Sequence, residues 1–188
     1  SYELLYPKTW LADQATRLPK AGSVRSLDQG GTLIPRKVEA KRNGPQLDAA
    51  FGPPAGGRLE NLSVLRTNLG QGVDLDALLG TPAEAAQRLL DSSIAPANSG
   101  KMATLNSAEK RADGVVQFDY TVRFAEGSPM AGRVIKNQAC VAYNPATGDL
   151  FTLTVLAPEE EWASGASGSA LRAMAPSFKL IRAAGQSA

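Results

Sequence analysis

The strongest pattern in the chain is the alternation from Val115 to Phe124. Val116, Phe118, Tyr120, Val122 and Phe124 are apolar, and Gln117, Asp119, Thr121 and Arg123 lie between them. Side chains alternate across a strand, so this predicts a β-strand with one buried face. A hairpin follows, with strands over 133–143 and 149–156. The linker Asn144-Pro145-Ala146-Thr147-Gly148 suits a tight turn with one left-handed position. Shorter alternations predict strands at 2–6, ended by Pro7, and at 61–66, where Leu62 and Val64 face away from Ser63 and Leu65. Trp10 is expected to cap the core beside the first strand.

Two segments switch to the period of a helix. Thr81 is placed as an N-cap, Pro82 takes the first helical position and Glu84 completes a capping box, which predicts a helix over 81–91 with Ala85, Ala86, Leu89 and Leu90 on its apolar face. Pro158 opens a second helix, predicted over 158–174, with Glu159, Glu160 and Glu161 at the positive end of its dipole. Trp162, Ala166, Ala170, Ala173 and Met174 share one face of it. Gly165 and Gly168 are expected to weaken it by about 1 kcal/mol each relative to Ala, and Pro176 to stop it. Phe178, Leu180 and Arg182 suggest a last short strand before a polar tail at 183–188.

Between 19 and 57 the pattern gives way to frequent Gly and Pro, with only 32–40 strand-like, which predicts a long loop or insertion. Runs of strands, hairpin links and two isolated helices together predict a single α+β domain with helices packed on an antiparallel sheet.

Composition narrows the chemistry. The chain has 188 residues, 20 Lys+Arg against 18 Asp+Glu, no histidine and one cysteine. That excludes a histidine general base, histidine-bearing zinc sites, an internal disulfide and a thiolate zinc cluster. No run approaches the roughly 18 consecutive apolar residues of a membrane-spanning helix.

Each candidate motif has a plainer explanation beside it. Ser99-Gly100-Lys101 lacks the glycine spacing and the hydroxyl of a phosphate loop and fits a turn leading into a strand. Asp74 and Asp76 lie two apart in a Gly- and Leu-rich loop without the further oxygen ligands of a calcium loop. Asn61-Leu62-Ser63 matches a glycosylation acceptor but opens a predicted strand. Glu159, Glu160 and Glu161 are weak metal candidates, with Asp149 or Asp13 as possible partners, although three consecutive helical residues point three ways. Cys140, between Ala139 and Val141, fits a buried small hydrophobe, with a redox role as the alternative. From Lys20 to Asn43 the chain carries Lys20, Arg25, Arg36, Lys37, Lys41 and Arg42 against Asp28 and Glu39, a local +4. This basic, Gly/Pro-rich segment is the candidate dock for an acidic partner. It has no aromatic residue on which to stack a base, which argues against nucleic acid.

In order along the chain, Tyr2-Glu3-Leu4-Leu5-Tyr6-Pro7-Lys8-Thr9-Trp10, Asn61-Leu62-Ser63-Val64, Leu79-Gly80-Thr81-Pro82-Ala83-Glu84, Gly148-Asp149-Leu150-Phe151-Thr152, Glu161-Trp162 and Ser177-Phe178 resemble the PsbP family of extrinsic thylakoid-lumen proteins. The resemblance covers nearly the whole chain apart from 19–57. It implies an α-β-α sandwich, with helices on both faces of an antiparallel sheet. It also implies no catalysis and a cleaved bipartite transit peptide, with the Ser1 start expected of a mature form. The implied location is the chloroplast thylakoid lumen, peripheral to the membrane. The implied partners are photosystem core subunits and other lumenal extrinsic proteins, with the protein a monomer when free.

Several departures favour a PsbP-like paralogue over the principal photosystem II subunit. The chain lacks that subunit's N-terminal extension, which helps retain calcium and chloride. It has Glu159 to Glu161 where basic residues are usual, it has no histidine, and it carries the long basic insertion. No cofactor is expected, with calcium left open at family level. Stabilising or assembling the oxygen-evolving photosystem II is the expected role. Photosystem I assembly or an NDH-complex lumenal subunit are alternatives within the family, and a redox or metal-dependent enzyme using Cys140 or the acidic cluster is the alternative outside it.

Overall fold

The computed structural model describes residues 1–12, 45–54 and 59–181. Seven strands form one antiparallel sheet in the order β2 (Leu11–Ala12), β3 (Gln46–Gly52), β4 (Asn61–Asn68), β8 (Asp149–Pro158), β7 (Val134–Asn144), β6 (Val116–Phe124), β5 (Lys101–Lys110). A separate two-stranded ribbon pairs β1 (Tyr2–Glu3) with β9 (Lys179–Leu180). The helices are α1 (Leu75–Leu79), α2 (Pro82–Leu89), which continues into a π-helical turn over Leu90–Ile94, α3 (Glu159–Ala163) and α4 (Gly165–Ser177).

The period-2 patterns set the two sides of the sheet. On β6, Val116, Phe118, Tyr120 and Val122 are buried with Ala139 of β7 and with Ala86 and Leu90 from α2 and its extension. The alternate residues of β7, Cys140 and Ala142, belong to a second cluster with Leu62, Val64, Phe151, Leu153, Val155 and Ala157. Trp162 of α3, Leu171, Met174 and Ala175 of α4, and Phe178 complete that cluster. Neighbouring residues of β7 thus serve two different cores, as the pleat requires. Trp10, Phe118, Tyr120, Val122, Phe151, Leu153, Trp162 and Phe178, all expected in the core, are all buried.

Helix α2 starts as its sequence predicts. The Thr81 hydroxyl accepts from the Glu84 amide at 3.3 Å, and Glu84 Oε2 accepts from the Thr81 amide at 2.9 Å. The Thr81 amide and then the Thr81 hydroxyl, both donating to Glu84 Oε2, hold the Glu84 carboxyl below its ordinary range.

Four expectations need correction. The predicted loop over 19–57 contains β3, in which Leu47, Ala49 and Phe51 carry a strand with a register shift between Leu47 and Ala49. The loop assigned to Asp74 and Asp76 is helical: Asp74 caps α1 by accepting from the Ala77 amide at 3.0 Å, and Asp76 lies inside it. The single helix over 158–174 is two, because Ser164 is extended (φ −68°, ψ 148°) and restarts the phase. Leu171, Met174 and Ala175 therefore face the core, while Ala170 is half-buried and Ala173 exposed; the Ala166 side chain lies outside the described residues. Finally, Pro176 does not stop the helix, which runs to Ser177.

Gly168 is more than a weak helix former. A Cβ there would collide with the carbonyl of Trp162, so its missing side chain lets α4 fold back against α3. Indole Nε1 of Trp162 donates to Lys136 O at 3.1 Å and Ala157 O at 3.2 Å, fixing α3 to β7 and β8.

Candidate docking surface

The basic residues Lys20, Arg25, Arg36, Lys37, Lys41 and Arg42 lie outside the described residues, as do the predicted strand at 32–40, Asp13 and the tail at 183–188. The acidic candidates are described, and they diverge. Glu159 pairs with Lys136 at 3.0 Å. Glu161 faces Glu60, whose carboxyl is raised by burial and then by that neighbouring charge. Asp149 is engaged by Asn68 Nδ2 at 3.0 Å, which leads the lowering of its carboxyl. Among the described residues, no three Asp, Glu or Cys side chains gather as metal ligands.

Cys140 is fully buried beneath α4, with Sγ 3.4 Å from Ala175 O. Burial pushes its thiol up to about 12 against the opposing pull of Arg111, so the nucleophilic thiolate is disfavoured.

A concavity of about 1280 Å³ opens at one end of the sheet, where α1, the β5–β6 turn, the β7–β8 turn and β9 converge. Val115 and Ala142 form its buried floor, and Val73, Leu180 and Ile181 form apolar flanks. Its charged side chains are engaged within the protein. Lys110 is held by both oxygens of Asp76 at 2.6 Å, Arg111 pairs with Asp113 at 2.6 Å, and Lys179 pairs with Glu3 at 2.5 Å. The cleft therefore presents apolar surface within a rim whose charged groups are held by ion pairs or, at Asp74, by the cap of α1.

One wall is locked by side chains that the sequence pattern did not single out. Leu69 N donates to Gly148 O at 2.8 Å and Gln71 Nε2 to Ala146 O at 2.6 Å. The Tyr143 hydroxyl donates to Gly70 O at 2.6 Å and accepts from Val73 N at 3.3 Å. Gly148 has φ +74°, and a Cβ there would collide with the Gly70 backbone, so the two loops approach as only glycine permits.

Comparison with known proteins places this architecture. The PsbP family model matches residues 1–180. The chain belongs to the PsbP family. It is 29% identical over 186 residues to PsbP domain-containing protein 7, chloroplastic, from Arabidopsis thaliana, covering 96% of this chain and 62% of that protein. It is 34% identical over 107 residues to CyanoP from Thermosynechococcus vestitus, covering 55% of this chain and 56% of that one. This PsbP-family chain thus spans less than two thirds of the length of the curated relatives it matches. A solved structure of LpqN from Mycobacterium tuberculosis, described as involved in cell envelope biogenesis, aligns with 95% of this chain and 82% of its own at 15% identity and TM-score 0.39, too low to carry an argument. No helix among the described residues is long and apolar enough to cross a membrane.

Proposed function

We propose that this PsbP-family chain is a non-enzymatic extrinsic protein of the thylakoid lumen that docks peripherally on the lumenal side of a photosystem, where it stabilises or helps assemble the oxygen-evolving photosystem II. The observation that carries this reading is the family match over residues 1–180, together with a chloroplastic relative aligned over 96% of the chain. The two apolar clusters on opposite sides of the sheet, one with α2 and one with α3 and α4, fit the helix-flanked sandwich expected of the family. A buried, protonated Cys140 and divergent Glu159, Glu160 and Glu161 weigh against a redox or metal-dependent enzyme.

Attachment is electrostatic in this reading. Because the charges around the end cleft are engaged within the protein, the contact with an acidic partner is given to the run of Lys20, Arg25, Arg36, Lys37, Lys41 and Arg42. Exposed charges are screened within about 8 Å at physiological ionic strength, so binding weakens steeply with salt. The reading assigns the chain no cofactor of its own, and a calcium requirement for rebinding would revise that.

The test is co-purification from thylakoids with mass spectrometry of the partners, then rebinding of the quadruple variant Arg36→Glu, Lys37→Glu, Lys41→Glu, Arg42→Glu. Photosystem II core subunits and failed rebinding through a slower on-rate are expected. Photosystem I or NDH subunits would move the protein to another complex. Normal rebinding of the variant would remove the basic segment from the dock.

A further inference from the structure

The ribbon of β1 and β9 has one edge taken and one edge open. Ile181 N donates to Ser1 O at 3.0 Å, and the next cross-strand pairs are Leu180 with Tyr2 and Lys179 with Glu3. Bonded and non-bonded pairs alternate along an antiparallel ladder, so the Leu180–Tyr2 pair is non-bonded and the N–H and C=O of Leu180 point away from β1. Among the described residues, neither group has a hydrogen-bond partner on that side. Lys179, Leu180 and Ile181 all line the end cleft and no residue of β1 does, so the open edge borders the cleft.

An open edge is commonly guarded by a lysine, a proline or a bulge. Here the lysine is withdrawn, because Lys179 pairs with Glu3 across the ribbon at 2.5 Å. Beyond the edge the floor is apolar, with Val115 2% and Ala142 1% exposed. The Leu180 side chain packs against the same cluster that holds both of them. The charged residues along the rim are already engaged, so a charged occupant would meet no free counter-charge and would lose hydration there. An acyl chain would cover the floor but leave the N–H and C=O of Leu180 unmet. An extended backbone meets both.

We propose that the open edge of β9 receives an extended, uncharged segment of a partner protein, which pairs with Leu180 and adds a third strand to the ribbon. Strand addition of this kind draws affinity from main-chain hydrogen bonds and selectivity from alternate side chains. The partner residue opposite Leu180 shares its side of the ribbon, so it points to Val115 and Ala142 and is apolar, while the residues flanking it point to solvent. This contact is distinct from the one assigned to the basic run. It is made by neutral groups, and it persists in salt that releases a charged attachment.

The test uses the whole chain, a short neutral peptide of alternating threonine and valine blocked at both ends, and the same peptide N-methylated at every amide. NMR is expected to show shifts confined to β9 and the β5–β6 and β7–β8 turns, equal affinity at low and high salt, and no binding of the methylated peptide. Exchange of the Leu180 amide is expected to slow by about tenfold in the complex, as one net hydrogen bond would give. Leu180→Pro removes the outward N–H without removing a bond to β1, and Ala112→Asp sets an unpaired charge on the rim; each is expected to weaken binding by about tenfold. Equal binding of the methylated peptide would overturn the proposal, leaving an apolar ligand site without strand pairing. A Leu180 amide already slow to exchange without peptide would overturn it too, with the edge held by this chain or, where protection grows with protein concentration, by a second copy. So would a peptide that leaves the cleft resonances unmoved. Ala112 is exposed, so Ala112→Asp decides the matter even if Leu180→Pro loosens the ribbon.

Discussion

At the scale of single residues, burial sets the chemistry of this protein more than any charged neighbour does. Cys140 shows this: a thiol raised from 9.0 to about 12 keeps its proton in the folded chain where the unfolded chain loses it. Stability from that proton is present in full below 9.0 and is lost as the pH climbs toward about 12. Cys140→Ala is therefore expected to flatten the alkaline fall in melting temperature. The native thiol should resist alkylation and react at the ordinary rate only in denaturant, as a thiol-labelling time course would show. Gly168 is decided by space, since its hydrogen faces the Trp162 carbonyl where a methyl group would collide. Gly168→Ala is expected to destabilise by about 1–3 kcal/mol, measured by chemical denaturation, although Ala is ordinarily the better helix former.

At the scale of elements, the large apolar residues carry the cost of disruption. Phe118 is 2% exposed at the centre of the cluster between α2 and β6, and Phe118→Ala is expected to cost about 3–5 kcal/mol. A melting curve that barely moves would mean that α2 does not press on that side of the sheet. These strands were legible in the sequence because each states its pattern locally: β6 in its alternation, β7 and β8 through the turn between them, α2 through its capping box. The elements that escaped had local signals too weak or too crowded. The alternation of Leu47, Ala49 and Phe51 is broken by the register shift at Asp48 and surrounded by Gly and Pro. Helix α1 has five residues and buries none of them, so only its Asp74 cap marks it. The division of α3 from α4 turns on one extended residue, Ser164, which no hydrophobic period reports.

At the scale of the whole molecule, the end cleft could not be read from the sequence, because its walls come from four separate stretches that only the sheet brings together. The basic run from Lys20 to Arg42, in contrast, is legible as charge, since its residues lie within one stretch. The lock between the 68–73 and 144–149 loops makes the cleft wall a preformed surface. Tyr143→Phe, which removes the hydroxyl that bonds both Gly70 O and Val73 N, is expected to speed amide hydrogen exchange at Leu69 and Val73 while leaving the β6–β7 amides protected.

The ribbon of β1 and β9 joins Tyr2 to Leu180, and Ile181 N donates to Ser1 O at 3.0 Å. Tyr2 also packs edge-on against Phe151 and leans on Phe178. During synthesis β1 therefore waits for β9, and a chain that has not yet reached β9 leaves the Phe151 and Phe178 rings without their aromatic cover. Such distant closure slows folding, and it ties the quality of the finished core to arrival of the whole chain: a product cut short before Lys179 would carry an exposed aromatic end for a chaperone or protease to find.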